Sequence, residues 1–240
     1  MTTTRVYQST DLAAPVLNGD VNSMPNLLDT CLVTGYGAHS GAGWTKPYSA
    51  AGTGEAVFRP GAGPQHFLYV QDNGIFAGNT VQMIAHESMS ALRVGVNQYP
   101  GTPATDVPFG AIGNGRFEKP GTPWPSPWVL IADERTFYFH VRNASGTPVP
   151  YNECAFGEYF SYVTSDGYRS FIAFEGGWIP QLTVDSGGSI AFFTPRTYTG
   201  VYTADYKLSM LGDVAKGISG RFVGKLPYPH GPDGKIWLAP

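Results

Sequence analysis

Residues 128–142 read WVLIADERTFYFHVR, and no other stretch constrains the fold of this chain as tightly. Trp128, Val129, Leu130, Ile131 and Ala132 form an unbroken apolar run. Beyond it, Phe137, Phe139 and Val141 alternate with Tyr138, His140 and Arg142. Alternation with period two, rich in β-branched and aromatic residues, marks a strand, because successive side chains of an extended chain point to opposite faces. Asp133-Glu134-Arg135-Thr136 is a short polar turn between the two runs. Two strands joined in this way predict a β-hairpin. A limb apolar on every side predicts cover on both faces, which puts the hairpin at the centre of the fold. Phe137, Phe139 and Val141 are expected to face inward, with Trp128, Leu130 and Ile131 against them.

The rest of the chain repeats the pattern in shorter pieces. Residues 55–59, 66–71, 80–89, 155–163 and 168–174 read as strands, and 115–118, 189–194 and 198–207 as further candidates. Pro60-Gly61-Ala62-Gly63-Pro64, Asn73-Gly74 and Asp166-Gly167 supply turns. Helical spacing occurs over residues 26–33, where Leu27, Leu28, Cys31 and Leu32 share a face, with Asn22 or Ser23 as the candidate cap. Residues 6–14 fit an extended arm or an edge strand. The 31 glycines and 20 prolines concentrate in long excursions over 35–54, 99–127 and 220–240. The expected fold class is therefore all-β: an antiparallel β-sandwich or distorted β-barrel with long Gly/Pro-rich loops and one short N-terminal helix. The expected organisation is an N-terminal arm over 1–24, one β-rich domain over 25–219, and a C-terminal arm or wrap over 220–240.

At 240 residues, such a domain buries a sizeable core without disulfides or metals. Cys31 and Cys154 lie far apart in sequence and match no metal or redox spacing, so they are expected to be buried free thiols. The formal charge of −3 gives no electrostatic case for nucleic-acid binding. No run approaches the ~20 apolar residues of a membrane span, so no membrane partner is expected. The first ten residues, MTTTRVYQST, lack the apolar core of a secretion signal, which implies synthesis and retention in the cytoplasm. Charged residues make up only 14% of the chain and aromatics another 14%. That balance suits a β protein whose surface is partly covered by neighbours.

Motifs for catalysis are missing. Gly37-Ala38-His39-Ser40-Gly41 resembles a nucleophile elbow, but Ala38 and His39 precede the serine where the G-x-S-x-G pattern sets glycine two residues before it. His39, His66, His86, His140 and His230 never fall at metal-binding spacing, and no phosphate-cradling glycine pattern stands between a strand and a helix. Glu153, Glu158, Asp166 and Glu175 cluster in sequence among Tyr151, Tyr159, Tyr162 and Trp178, as a glycosidase or sugar-binding site would require. Glu153 with Glu158, or Asp166 with Glu175, are the pairs expected to approach. The reading that follows is non-enzymatic, with no catalytic residue, no cofactor and no metal ligand assigned.

The final segment has neither helical nor strand period, yet it holds Phe222, Leu226, Tyr228, Ile236, Trp237 and Leu238. Pro227, Pro229 and Pro232 withhold backbone donors and discourage strand pairing. It either wraps its own domain or reaches a neighbouring subunit. In the second case Trp237, Tyr228 and Phe222 are the candidate interface residues, since buried aromatics often dominate interfaces.

The ordered runs LLDTCLVTGYG, AGWTKPYS, AVFRPGAGPQHFLYVQDN, VQMIAHESMSA, PWVLIADERTFYFHV, AFGEYFSYVTSDGY and GRFVGKLPYPH span residues 27–230. Taken together, this series resembles a family of virion structural proteins of tailed bacteriophages. One departure lies at 66–71, HFLYVQ, where the family is expected to have an arginine-bearing strand. The resemblance implies a non-enzymatic particle component, either a capsid decoration or a tail or baseplate accessory. Its implied location is the virion, and its implied partners are other copies of itself and other phage virion proteins. The competing reading is a host-surface glycan-binding module of a tail fibre or spike.

Overall fold

The computed structural model describes residues 3–73, 80–99, 115–119, 125–141, 152–159, 166–175, 191–193, 195–196, 200, 207–210 and 213–216. Among these, two antiparallel six-stranded sheets form a β-sandwich that does not close into a barrel. The first sheet runs β1 (Arg5–Gln8), β8 (Trp128–Ala132), β9 (Phe137–Val141), β10 (Asn152–Glu158), β11 (Ser170–Glu175), β12 (Ala191–Phe193). The second runs β2 (Thr45–Ala50), β3 (Glu55–Arg59), β4 (Phe67–Gln71), β5 (Thr80–Ala91), β6 (Val94–Tyr99). Its sixth strand, β7 (Gly115–Glu118), pairs with Thr80–Met83 of β5, while β6 takes the later part of the same edge. A separate hairpin joins β13 (Lys207–Met210) to β14 (Asp213–Lys216).

The β8–β9 hairpin forms as expected, with Trp128 opposite Val141, Leu130 opposite Phe139 and Ala132 opposite Phe137. Its turn is locked by the Asp133 carboxylate, whose Oδ1 accepts the backbone N–H of Arg135 at 2.8 Å and of Thr136 at 2.9 Å. This is the usual capacity of aspartate to imitate a backbone turn. The hairpin is flanked by β1 and β10, so it is interior to its sheet. Both-face cover is not what the structure shows. Trp128, Leu130 and Ala132 are buried, while Val129 and Ile131 are half-buried on the opposite face. Ile131 sits in register with Val6 and Tyr138 and does not back Phe139. The run is apolar throughout, but its strand still alternates because only one face meets the other sheet.

That inner face meets Ala56, Phe58, Leu68, Val70, Met83 and Phe117 of the second sheet in one apolar core. Val81, Met83 and Ala85 of β5 enter this core, whereas Ile84 joins Val57, Tyr69 and Met89 in a second cluster on the far side of the sheet. Residues 80–86 of β5 are buried on both faces. Cys31 and Cys154 are free and buried, as expected.

Several elements differ from the sequence expectation, among them the β13–β14 hairpin, which lies beyond most of the strand expected over 198–207. The helix begins at Ser23, earlier than expected: α1 (Ser23–Leu28) runs into a π-helical extension, Asp29–Thr34. Pro25 is tolerated in the first turn, where its missing N–H has no intrahelical partner to lose. Asn22 occupies the cap position in a left-handed conformation, but its side chain makes no capping bond. The cap is provided by Asp72, just after β4: its Oδ2 accepts the Met24 N–H at 3.0 Å, and its carbonyl accepts the Asn22 N–H at 2.8 Å.

Another difference is β2, which lies inside the stretch read as loop. It is an edge strand containing Pro47 and a register shift between Thr45 and Tyr48, so it lacks alternation. Trp44 anchors its start, with the indole N–H donating to the Asp133 carbonyl at 2.7 Å and the ring packed edge-on against Phe137 and Phe156. A further one is β6, which follows β5 through the Leu92-Arg93 turn, where Arg93 takes positive φ. Gly95 and Asn97 break its pattern.

The N-terminal residues are integral to the sandwich: Tyr7, Leu17 and Met24 lie in the main core, and β1 is an edge strand. The predicted strand over 155–163 is β10, shifted toward the N-terminus. Residues 217–240, with Phe222, Tyr228 and Trp237, lie outside the described residues.

Phe139 is the side chain to test this packing. It is 2% exposed and lies between Trp128 and Phe117. Replacing it by alanine is expected to destabilise the protein by about 3–5 kcal/mol in urea unfolding. A loss under half a kcal/mol would contradict the inward assignment.

Candidate functional site

The carboxylates grouped in sequence are separated by the sheet. Glu153 and Glu158 both lie on β10, five positions apart, so strand alternation sends them to opposite faces. Asp166 precedes β11 and Glu175 ends it, with the strand's six residues between the turn and its far end. Glu153 and Glu158 therefore do not share a common space; the side chain of Glu175 lies outside the described residues. The register instead sets Glu153 opposite Glu175 on one side and opposite His140 on the other.

Each described carboxylate of this group is held by hydrogen-bond donors. Glu158 lies between two arginines: Oε2 accepts from Arg135 Nη1 at 2.7 Å, and Oε1 accepts from Arg169 Nε. The hydrogen bond and charge of Glu158 push the Arg135 guanidinium still further above its ordinary value. Gly63 packs directly on this carboxylate; a Cβ there would come within 2.6 Å of Glu158 Oε2. Buried Glu153 accepts from His140 Nδ1 at 2.9 Å. Buried Asp166 accepts the Tyr168 N–H at 2.9 Å and faces the Tyr159 hydroxyl at 3.5 Å. A glycosidase needs one carboxyl protonated and one ionised across the scissile bond. This set places a fixed cation on Glu158 and encloses Glu153 and Asp166.

The elbow-like segment has the wrong context. It follows the helix and precedes β2, with Tyr36 and His39 exchanging backbone hydrogen bonds at 2.9 and 2.8 Å. Its polar groups serve to attach the N-terminus. The Ser40 carbonyl accepts the Tyr7 hydroxyl at 2.7 Å, and Asp11 Oδ2 accepts the Tyr36 hydroxyl at 2.7 Å. Asp11 also lies 3.4 Å from His39 Nε2. Desolvation raises the Asp11 carboxyl, but the bonds from Tyr36 and Gln8 outweigh it and hold the group below its ordinary value.

Two buried polar clusters had no signature in the sequence. The first crosses the sandwich. His66 Nδ1 lies 3.0 Å from the Tyr99 hydroxyl, which lies 2.8 Å from Ser170 Oγ, which donates to the Gly157 carbonyl at 3.1 Å. Tyr99 belongs to the second sheet and Ser170 to the first, so this chain of bonds ties β6 to β11. The second joins Lys119 to the helix N-terminus. Lys119 Nζ contacts Asp72 Oδ1 at 2.8 Å, Asp72 Oδ2 at 2.9 Å and Ser23 Oγ at 2.9 Å, and it also donates to the Asp20 carbonyl. Lys119 and Asp72 are 1% exposed or less. Lys119 stands in a proline- and glycine-rich excursion, where an isolated lysine reads as solvated; its burial is decided by where β7 docks.

Among the described residues, no group of three or more histidine, cysteine or acidic side chains is placed to hold a metal ion. No helix there is long and apolar enough to cross a membrane. Comparison with protein-family models, curated proteins and solved structures finds no match.

Burial of two histidines has a consequence for stability. Desolvation pulls His66 and His86 down to about 4 from an ordinary 6.5. In the unfolded chain they take up protons first as the pH drops. Their contribution is therefore complete above pH 6.5 and is lost as the pH falls toward 4. The carboxylates held low, Glu55 and Glu87, have ordinary values of 4.5 and act only below that. Between pH 6.5 and 4.5, urea unfolding is expected to show a loss of about 1.4 kcal/mol per pH unit for each histidine. A flat profile over that window would show that the two rings are not buried as neutral groups.

Proposed function

We propose that this chain is a non-catalytic structural subunit of a tailed-bacteriophage virion. In this reading it assembles with copies of itself and with other virion proteins, as a capsid decoration or as a tail or baseplate accessory. The supporting observation is how its ionisable groups are used. Glu158 and Glu55 are each engaged by an arginine that ties together strands or loops distant in sequence, and Glu153 accepts a hydrogen bond from His140. A catalytic carboxyl must change protonation during turnover, and a tight fixed partner opposes that change. The ordered motifs from residue 27 to 230 supply the phage assignment, and the scarcity of charge suits a surface that neighbours cover.

The test is incorporation. A tagged copy produced during infection is expected to co-purify with intact particles through a density gradient and to remain after a high-salt wash. Recovery only in the soluble lysate would reject the structural role.

The same purified protein is expected to hydrolyse neither peptidoglycan nor polysaccharide nor ester substrates. Turnover abolished by Glu158→Gln or Asp166→Asn would replace this proposal with a glycosidase. Saturable binding to host surface glycan by a protein absent from particles would favour the receptor-binding reading.

A further inference from the structure

We propose that Lys119 and Asp72 condense into an intramolecular amide, joining Nζ to Cγ, and that their buried cluster is an autocatalytic cross-linking site. The geometry places the reactants together. Nζ lies almost equally close to both carboxylate oxygens, at 2.8 and 2.9 Å, so the amine and the carboxyl group are in direct contact. Both side chains are shut off from solvent, at 0% and 1% exposure. Holding two reactants in contact within a fixed frame replaces an encounter in solution by an intramolecular step.

Amide formation begins with a proton transfer inside the pair. Two opposite charges enclosed in an apolar interior bear a large desolvation cost, and transfer of one proton from Nζ to the carboxylate removes both charges. Desolvation raises the Asp72 carboxyl more than Lys119 and the Met24 N–H lower it, which is the direction this transfer needs. The neutral amine then attacks Cγ. Negative charge develops on Oδ2, which already accepts the Met24 N–H at 3.0 Å. A fixed backbone donor aimed at a developing oxyanion is the usual means of stabilising such an intermediate. The departing hydroxyl is then Oδ1, which lies 2.8 Å from Nζ and takes the second amine proton directly to leave as water. One ammonium and one carboxylate yield one amide and one water, with no oxidant, metal or co-reactant.

The product suits the site. Its N–H keeps Ser23 Oγ or the Asp20 carbonyl as acceptor, and its carbonyl keeps the Met24 N–H as donor. The link would close the chain between positions 47 apart in sequence and fasten the end of β4 to the end of β7, on either side of β5.

The test is mass spectrometry of the purified full-length protein, unfolded and reduced before measurement. The expected mass is lower than that of the sequence by one water. Digestion is expected to yield a branched peptide joining the fragment with Asp72 to the fragment with Lys119. Lys119→Arg, which retains the cation but cannot form this amide, is expected to restore the full mass and remove the branched peptide. A soluble, folded wild-type protein of full sequence mass after prolonged incubation overturns the proposal. So does a water loss that persists in Lys119→Arg, because it would then belong to a succinimide, for which Asp166-Gly167 is a ready source. The wild-type measurement decides the matter even where the variant fails to fold.

Discussion

The sandwich depends on the contact of Phe139 with Phe117. Phe139 projects from β9 in the first sheet and Phe117 from β7 in the second, their ring centroids 5.5 Å apart and nearly edge to face. Trp128 packs on the other side of Phe139 at 6.4 Å. Edge-to-face aromatic contacts add about 0.5–1.5 kcal/mol beyond the area they bury. Their larger effect here is positional. They set where β7 docks on β5, and β7 is followed at once by Lys119. This contact and the pairing of β7 with β5 together bring Lys119 into the interior beside Asp72 and the start of the helix.

Around this core, charge is used to fasten segments. Glu55, 2% exposed, receives hydrogen bonds from Thr53, Tyr69 and both faces of the Arg93 guanidinium fork, at 2.5–2.6 Å. Glu87 takes the bidentate grip of Arg196, which also lies over the Tyr168 ring. Removing Arg93 is expected to cost more than its pair contributes, because buried Glu55 would be left without its counter-ion. These pairs therefore restrict the fold to one arrangement more than they raise its stability. A subunit that must present one fixed shape to its neighbours gains from that restriction, in keeping with the structural role proposed for this chain.

Sequence alone determined the strands whose side chains alternate. The β8–β9 hairpin, β3, β4, β5 and β7 were legible as short apolar or alternating runs bounded by turn residues, and Asp133 marked the turn by its own chemistry. The all-β class follows from those strands. Tertiary structure decided what has no local period. It made an edge strand of residues 45–50, despite Pro47, by pairing them with β3. It started the helix at Ser23 by bringing the Asp72 carboxylate to the Met24 N–H from 48 positions away in the chain. It joined Glu153 to His140, because register between strands, not nearness in sequence, sets which side chains meet. The Lys119 cluster belongs wholly to this second category: a lysine reads as solvated until the docking of its strand closes water out.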